Sequence, residues 1–190
     1  MVIAKRRIFL TSLCCLMLSI TASSQETAEK KEEESNAPHH RITMMMMNAH
    51  LPNAIEIGGS DKNFLVPAYG LDYDYWFNGK WGVGLHNDLI LQQYTIEKIG
   101  EEEEVLREFP VSMSLVGLYK PCKHWVFVAG LGMEFEKNKN IGLFDLGVEY
   151  GWELPKNWEL SVNLKYENKF NAYDSYLFGI GISKVLYSKK

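Results

Sequence analysis

The sequence predicts an all-β fold: eight antiparallel strands closing up-and-down into a barrel that crosses a membrane. Three observations predict it. Beyond residue 40, apolar and polar residues alternate with period two, the signature of a strand with two different faces. The alternating runs are about ten to fourteen residues long, whereas soluble strands average five or six and a membrane-spanning strand needs about nine to eleven. The tryptophans gather beside alternate connections, at what must be one rim of an up-and-down barrel.

The elements begin with a leader. Lys5, Arg6 and Arg7 precede an apolar core at residues 8–20 (IFLTSLCCLMLSI) and the small residues Thr21-Ala22-Ser23-Ser24. This is the pattern of a secretory signal peptide over residues 1–24. Its apolar core is too short to span a bilayer as a helix. Residues 25–40 follow as an acidic periplasmic tail (QETAEKKEEESNAPHH) with no apolar run, expected to stay disordered. His39 and His40 are expected at the end of that tail.

Removing the leader takes three of the 20 basic residues and none of the 24 acidic ones. The remaining 17 against 24 give a net charge of −7, a poor match for nucleic acid. Of the three cysteines, Cys14 and Cys15 lie in the leader, which excludes a disulfide scaffold and a multi-cysteine metal site. Cys122 sits alone in a turn.

The barrel is expected over residues 41–190. A first strand falls near residues 41–49, its register obscured by Met44-Met45-Met46-Met47. The second places Tyr69, Leu71, Tyr73 and Tyr75 on one face and Gly70, Asp72 and Asp74 on the other. Asn78-Gly79 then supplies a hairpin turn, because both residues tolerate positive φ. Residues 81–98 set Trp81, Val83, Leu85, Leu89 and Leu91 against Gly82, Gly84, His86 and Asp88. The next strand sets Phe109, Val111, Met113 and Leu115 against Glu108, Ser112 and Ser114. In the fifth, Trp125, Phe127, Leu131 and Met133 oppose Gly130, Gly132, Glu134 and Glu136. Phe144, Leu146, Val148 and Trp152 then oppose Asp145, Gly147, Glu149 and Gly151. Trp158, Leu160, Val162 and Leu164 oppose Glu159, Ser161, Asn163, Lys165 and Glu167. Tyr176, Phe178, Ile180 and Ile182 oppose Ser175, Gly179, Gly181 and Ser183.

The choice of inner face decides the class. A soluble sandwich or lipocalin-like barrel turns its apolar face inward, whereas a transmembrane barrel turns it to lipid and keeps charge in the lumen. Strand length, glycines interleaved with carboxylates, and the tryptophan rim favour the membrane. The expected lumen network is Asp72, Asp74, His86, Asp88, Glu108, Glu134, Glu136, Asp145, Glu149, Glu159, Lys165 and Glu167, with Arg41, Arg107 or Lys98 reaching in to offset charge. The expected interfacial girdle is Trp76, Trp81, Trp125, Trp152 and Trp158. Tyr94, Phe135, Tyr166, Phe170, Tyr173 and Tyr176 are expected as a second girdle at the opposite ends.

With its leader, eight alternating strands and tryptophan girdle, the chain resembles the small eight-stranded outer-membrane barrels of the OmpA/OmpX-like group, Bacteroidota members above all. The resemblance covers residues 41–187 and implies fold and location, with outer-membrane lipid, lipopolysaccharide and the barrel-assembly machinery as partners. It departs from the group at the C-terminus, where Ser188-Lys189-Lys190 follow Tyr187. With both termini periplasmic, the Trp-flanked turns at 78–80, 120–124 and 153–157 are periplasmic, and the outward loops fall near 50–63, 99–106, 137–140 and 170–174.

An interior just filled by side chains makes the polar lumen a plug rather than a pathway. The functional expectation is an envelope structural or interaction role without catalysis, cofactor or metal. Two alternatives stand beside it. One is a lipid A hydrolase built on His50 with Ser60, Asp61 or Ser175; the other is a secreted lipocalin-like binder. Glu101-Glu102-Glu103-Glu104 reads as a solvated acidic loop tip. Lys80, Lys120, Lys123 and Lys156 share the rim of the tryptophans.

Overall fold

The computed structural model describes residues 37–56, 62–97, 104–137, 139–170 and 172–187. The leader, residues 25–36 of the tail, Ser60, Asp61, Lys98 and Glu101 to Glu103 lie outside the described residues. Ten strands are described: β1 (His39–Glu56), β2 (Lys62–Trp76), β3 (Trp81–Ile90), β4 (Gln93–Glu97), β5 (Glu104–Glu108), β6 (Val111–Tyr119), β7 (Trp125–Phe135), β8 (Ile141–Leu154), β9 (Trp158–Lys169) and β10 (Tyr173–Tyr187). Eight of them, all but β4 and β5, close a single antiparallel barrel, with β10 pairing back onto β1 from His39↔Tyr187 to His50↔Tyr176.

The register fixes the geometry. Ladder partners stepped round the barrel run from His40 through Tyr75, Val83, Gly117, Ala129, Leu146, Tyr166 and Tyr176, and return to β1 at His50. The difference between residues 50 and 40 is a shear of ten residues. At about 3.3 Å per residue and about 4.8 Å between strands, eight strands with this shear tilt by about 40°.

The two faces separate as the alternation requires. β6 alternates exposed and buried at every residue, and β3 begins the same way. Leu115, Leu131, Leu164 and Ile180 point outward and are more than half exposed, while Asp74, Glu134, Asp145 and Glu167 point inward and are fully buried. A soluble lipocalin-like barrel would have these faces exchanged. Short turns close the rim that carries the tryptophans. In the first, Asn78 accepts hydrogen bonds from the backbone N–H groups of Lys80 and Trp81 at 2.8 and 2.9 Å.

Four expectations change. His39 and His40 belong to β1 rather than to a tail, and they pair with β2 and β10. Trp76 falls on the inward register and is only 3% exposed, so it plugs the lumen instead of joining the girdle. Tyr94 and Tyr173 are likewise buried rather than exposed at a rim.

The fourth change is the largest. Residues 81–98 do not continue as one strand. Past Leu91, which still donates to the Pro67 carbonyl at 2.9 Å, the chain leaves the barrel wall. It returns as the hairpin β4–β5, and β4 pairs with β1 at Ala54↔Ile96 to Glu56↔Tyr94, on the side of β1 away from β2. To get there from β3 it must cross the barrel mouth. Its inward side chains, Tyr94 and Arg107, are fully buried. The return into β6 passes Phe109, at φ 47°, and Pro110, which has no N–H to donate to a ladder. This irregularity shifts the alternation by one residue. Arg107 therefore takes the inward position, and Glu108 is left at the rim, paired with exposed Lys137 at 3.4 Å.

Candidate functional site: the filled lumen and its two rims

The lumen holds three tiers of side chains. Nearest the tryptophan rim, the Arg41 guanidinium donates to Asp74 at 2.9 Å, to both oxygens of Glu149, and to Glu159 at 3.4 Å. The Trp76 ring lies 5.7 Å from the guanidinium carbon and stacks on His39. Leu118, Val126 and Val128 complete this lower seal. Glycine makes room for it. A Cβ at Gly84 would lie 2.2 Å from an Asp74 oxygen, and one at Gly151 2.3 Å from a Glu159 oxygen.

In the middle tier, His86 sits between two carboxylates, with Nε2 3.0 Å from Asp74 and Nδ1 3.4 Å from Asp72. Lys165 donates to Asp88 at 2.7 Å, and Asp145 lies 3.9 Å away. Met45 and Met47 fill the rest, their methyls lying against Gly70 where no side chain competes.

The upper tier joins the barrel to the crossing hairpin. Lys169 bonds Glu167 and Ser175 and lies 3.7 Å from Glu134. Arg107 reaches down from β5, donating to Glu134 at 3.0 Å, to Glu136 at 3.4 Å and to the Lys139 carbonyl at 2.7 Å. Tyr173 donates to Glu134, and its hydroxyl meets that of Tyr94 at 2.8 Å. Leu51, Ala54, Ile141 and Leu177 form one buried cluster with Tyr94 and Tyr173.

The structure thus gathers Asp72, Asp74, His86, Asp88, Glu134, Glu149, Lys165 and Glu167 inside, together with Asp145 and Glu159, and excludes Glu108. Arg41 and Arg107 both reach inward. Among the described residues, four buried cations (Arg41, Arg107, Lys165 and Lys169) face eight buried carboxylates. Sequence reading missed Lys169, Tyr94 and Tyr173 as lumen residues. Lys169 continues the inward alternation of Lys165 and Glu167, so period two extended by one step would have found it.

Among the described residues, His50 and Ser175 do not come together. His50 is on the outward face of β1, beside Tyr176, whereas Ser175 is inward, fully buried and bonded to Glu167 and Lys169. The wall of the barrel separates them. Among the described residues, no group of three or more His, Cys, Asp or Glu is arranged to hold a metal ion.

The outer surface is the second half of the site. Along β7 the exposed residues are Trp125, Phe127, Ala129, Leu131, Met133 and Phe135. Ten residue steps at a tilt of about 40° give an apolar band about 25 Å tall, the height of the lipid-facing belt of outer-membrane barrels. Trp81, Trp125, Trp152 and Trp158 ring its lower edge, each at least 40% exposed. They pack with tyrosines: Trp81 with Tyr119 at 4.4 Å, and Trp125 and Trp152 on either side of Tyr150. Phe135, Phe170 and Tyr176 mark the upper edge.

No family model and no curated protein matches the chain. Solved structures do match it. The outer membrane protein OprG of Pseudomonas aeruginosa aligns with a TM-score of 0.55 at 12% identity, over 80% of this chain and 98% of that one. Ail, the attachment invasion locus protein of Yersinia pestis, solved with the heparin analogue sucrose octasulfate, aligns at 0.51 and 12% identity, over 79% and 99%. Neisserial surface protein A aligns at 0.50 and 12% identity, over 76% and 96%. At these identities the likeness is one of fold: the closed eight-stranded barrel of small outer-membrane proteins.

Proposed function

We propose that this chain is an integral outer-membrane barrel with a sealed, polar-filled lumen, serving the envelope as a structural or interaction element and not as an enzyme. One observation carries the reading: an exposed apolar belt about 25 Å tall, edged by tryptophan, surrounds a core of buried ion pairs. In water this surface would be a large aggregation-prone patch, and in lipid it is the solvated face. The lumen supports closure, because Arg41, Lys165, Lys169 and Arg107 each bridge inward-facing groups on different strands. Export by residues 1–24, insertion by the barrel-assembly machinery, and contact with lipopolysaccharide follow as parts of the same reading.

The test is fractionation of expressing Gram-negative cells, with outer membranes washed in carbonate and run on gels boiled and unboiled. The expected result is retention in the outer membrane and faster migration of the unboiled band. Release into the periplasm or medium would refute the reading. A fatty-acid product from lipid A, lost in His50→Ala, would replace it with the hydrolase.

A further inference from the structure

We infer that the tryptophan rim is a phosphate-binding collar for anionic phospholipid headgroups. The inference rests on the membrane reading above. Three successive connections bring lysines to this rim: Lys80 in the first, Lys120 and Lys123 in the second, and Lys156 in the third. Lys184 joins them from β10. Its ammonium lies 5.0 Å from the centre of the Trp158 ring and donates to the Lys156 carbonyl. Against these five, the described residues of the rim expose one carboxylate, Glu153, which lies 3.9 Å from Lys123. Asp74, Glu149 and Glu159 are near in height, but they are buried in the lumen and held by Arg41.

Among the described residues the opposite rim lacks this excess, with Lys137 and Lys139 set against Glu108, Glu136 and Asp174. There Lys137 pairs with Glu108, and Asp174 accepts from Tyr166 and Asn168. The charge asymmetry therefore runs along the barrel axis and coincides with the tryptophans. An indole at the interface holds the boundary level, and a lysine beside it lays its stem on the ring and directs its ammonium toward the phosphates. A zwitterionic headgroup brings its own ammonium into that layer. A phosphatidylglycerol headgroup does not, so it is the better partner for a ring of lysines.

Four of the five tryptophans, Trp81, Trp125, Trp152 and Trp158, face outward at this rim and Trp76 is buried in the lumen, so quenching of the outward four, read against the unquenched Trp76 background, reports the lipid neighbours of the rim. The mature chain would be reconstituted in vesicles of equal parts phosphatidylcholine and phosphatidylglycerol, with brominated, quenching acyl chains on one lipid or the other. At low salt, brominated phosphatidylglycerol should quench more, corresponding to a local preference of about threefold or greater. That preference should vanish in about 0.5 M salt, where screening is short-ranged. It should also vanish in the combined Lys80→Gln, Lys123→Gln, Lys156→Gln, Lys184→Gln variant, and survive in Lys137→Gln/Lys139→Gln.

Equal quenching by the two lipids, or a preference that persists without the four lysines, would overturn the collar while the unboiled gel shift left the barrel standing. Displacement of phosphatidylglycerol by lipid A at matched phosphate would assign the rim to lipid A and overturn it too. Loss of the gel shift itself would remove the barrel reading, and the collar with it.

Discussion

Arg41 compensates three carboxylates at the lower end of the lumen, and its side chain is 4% exposed. Breaking a buried pair from one side costs more than the pair contributes, because the charges left behind are desolvated without a partner. Arg41→Ala should therefore lower the unfolding free energy by about 3–5 kcal/mol, read from the guanidinium midpoint in lipid vesicles. Arg41→Lys should recover only part of this, since an ammonium lacks the planar fork that spans Asp74 and Glu149 together. A loss below about 1 kcal/mol would mean that water reaches these carboxylates and that the lower seal is open. The same cluster explains two glycines. With Asp74 and Glu159 oxygens where their Cβ atoms would be, Gly84→Ala and Gly151→Ala should each cost about 1–3 kcal/mol by forcing the ion pairs apart. An alanine at Gly117, which meets nothing closer than the Ala129 carbonyl at 3.8 Å, should be tolerated.

Among the described residues, the hairpin β4–β5 is held across the mouth by backbone pairing of β4 to β1, the Tyr94–Tyr173 hydroxyl contact, the exposed Glu108–Lys137 pair, and the buried Arg107 guanidinium on Glu134, Glu136 and the Lys139 carbonyl. Of these, Arg107 reaches the far wall with buried charge, so Arg107→Ala should free the hairpin while the barrel wall stays intact. Hydrogen exchange would show this as faster exchange at residues 93–97 and 104–108, with β6 to β10 unchanged; uniform loss of protection would mean that Arg107 supports the whole barrel. Tyr94→Phe, which removes one hydroxyl, should change much less. The hairpin also marks the limit of what the sequence displays. The wall strands were legible because lipid on one side and a packed lumen on the other impose strict alternation on β2, β3 and β6 to β10. Across the mouth that constraint ends. The one-residue shift at Phe109 and Pro110 depends on a positive φ that no side-chain pattern announces, so period two carried through it puts Glu108 on the inward face in place of Arg107. The inward face itself was readable, but its pairings were not. Arg41 meets Glu149 from 108 positions away because a shear of ten residues brings β1 and β8 to one level, and that shear becomes visible only when the barrel closes. Trp76 shows the same limit: its position in the alternation pointed inward, while its residue type suggested a girdle.

For the molecule as a whole, the decisive property is that closure is spread along the entire axis. The upper mouth is crossed by the hairpin, the middle is filled by Met45, Met47 and the Lys165 cluster, and the lower end is stopped by Trp76, Arg41 and the valines of β7. A cavity lined by Asp72, His86, Asn163 and Lys165 is about 10 Å³, the smallest space that admits one water molecule. An ion crossing this lumen would have to displace two methionines and break paired charges in a low-dielectric setting, at several kcal/mol for each pair. The purified protein in planar bilayers should therefore show no steady conductance. Arg107→Ala should be equally silent, although its hairpin is released, because the lower two tiers do not depend on β4–β5. The pair of measurements separates two designs of closure. Silence in both, alongside the faster hairpin exchange, identifies a barrel whose interior is a structural core, with its dealings with the envelope confined to the belt and rims. Steady conductance in Arg107→Ala alone would instead make the hairpin a gate over a passable lumen, and the excess of carboxylates would then predict cation selectivity.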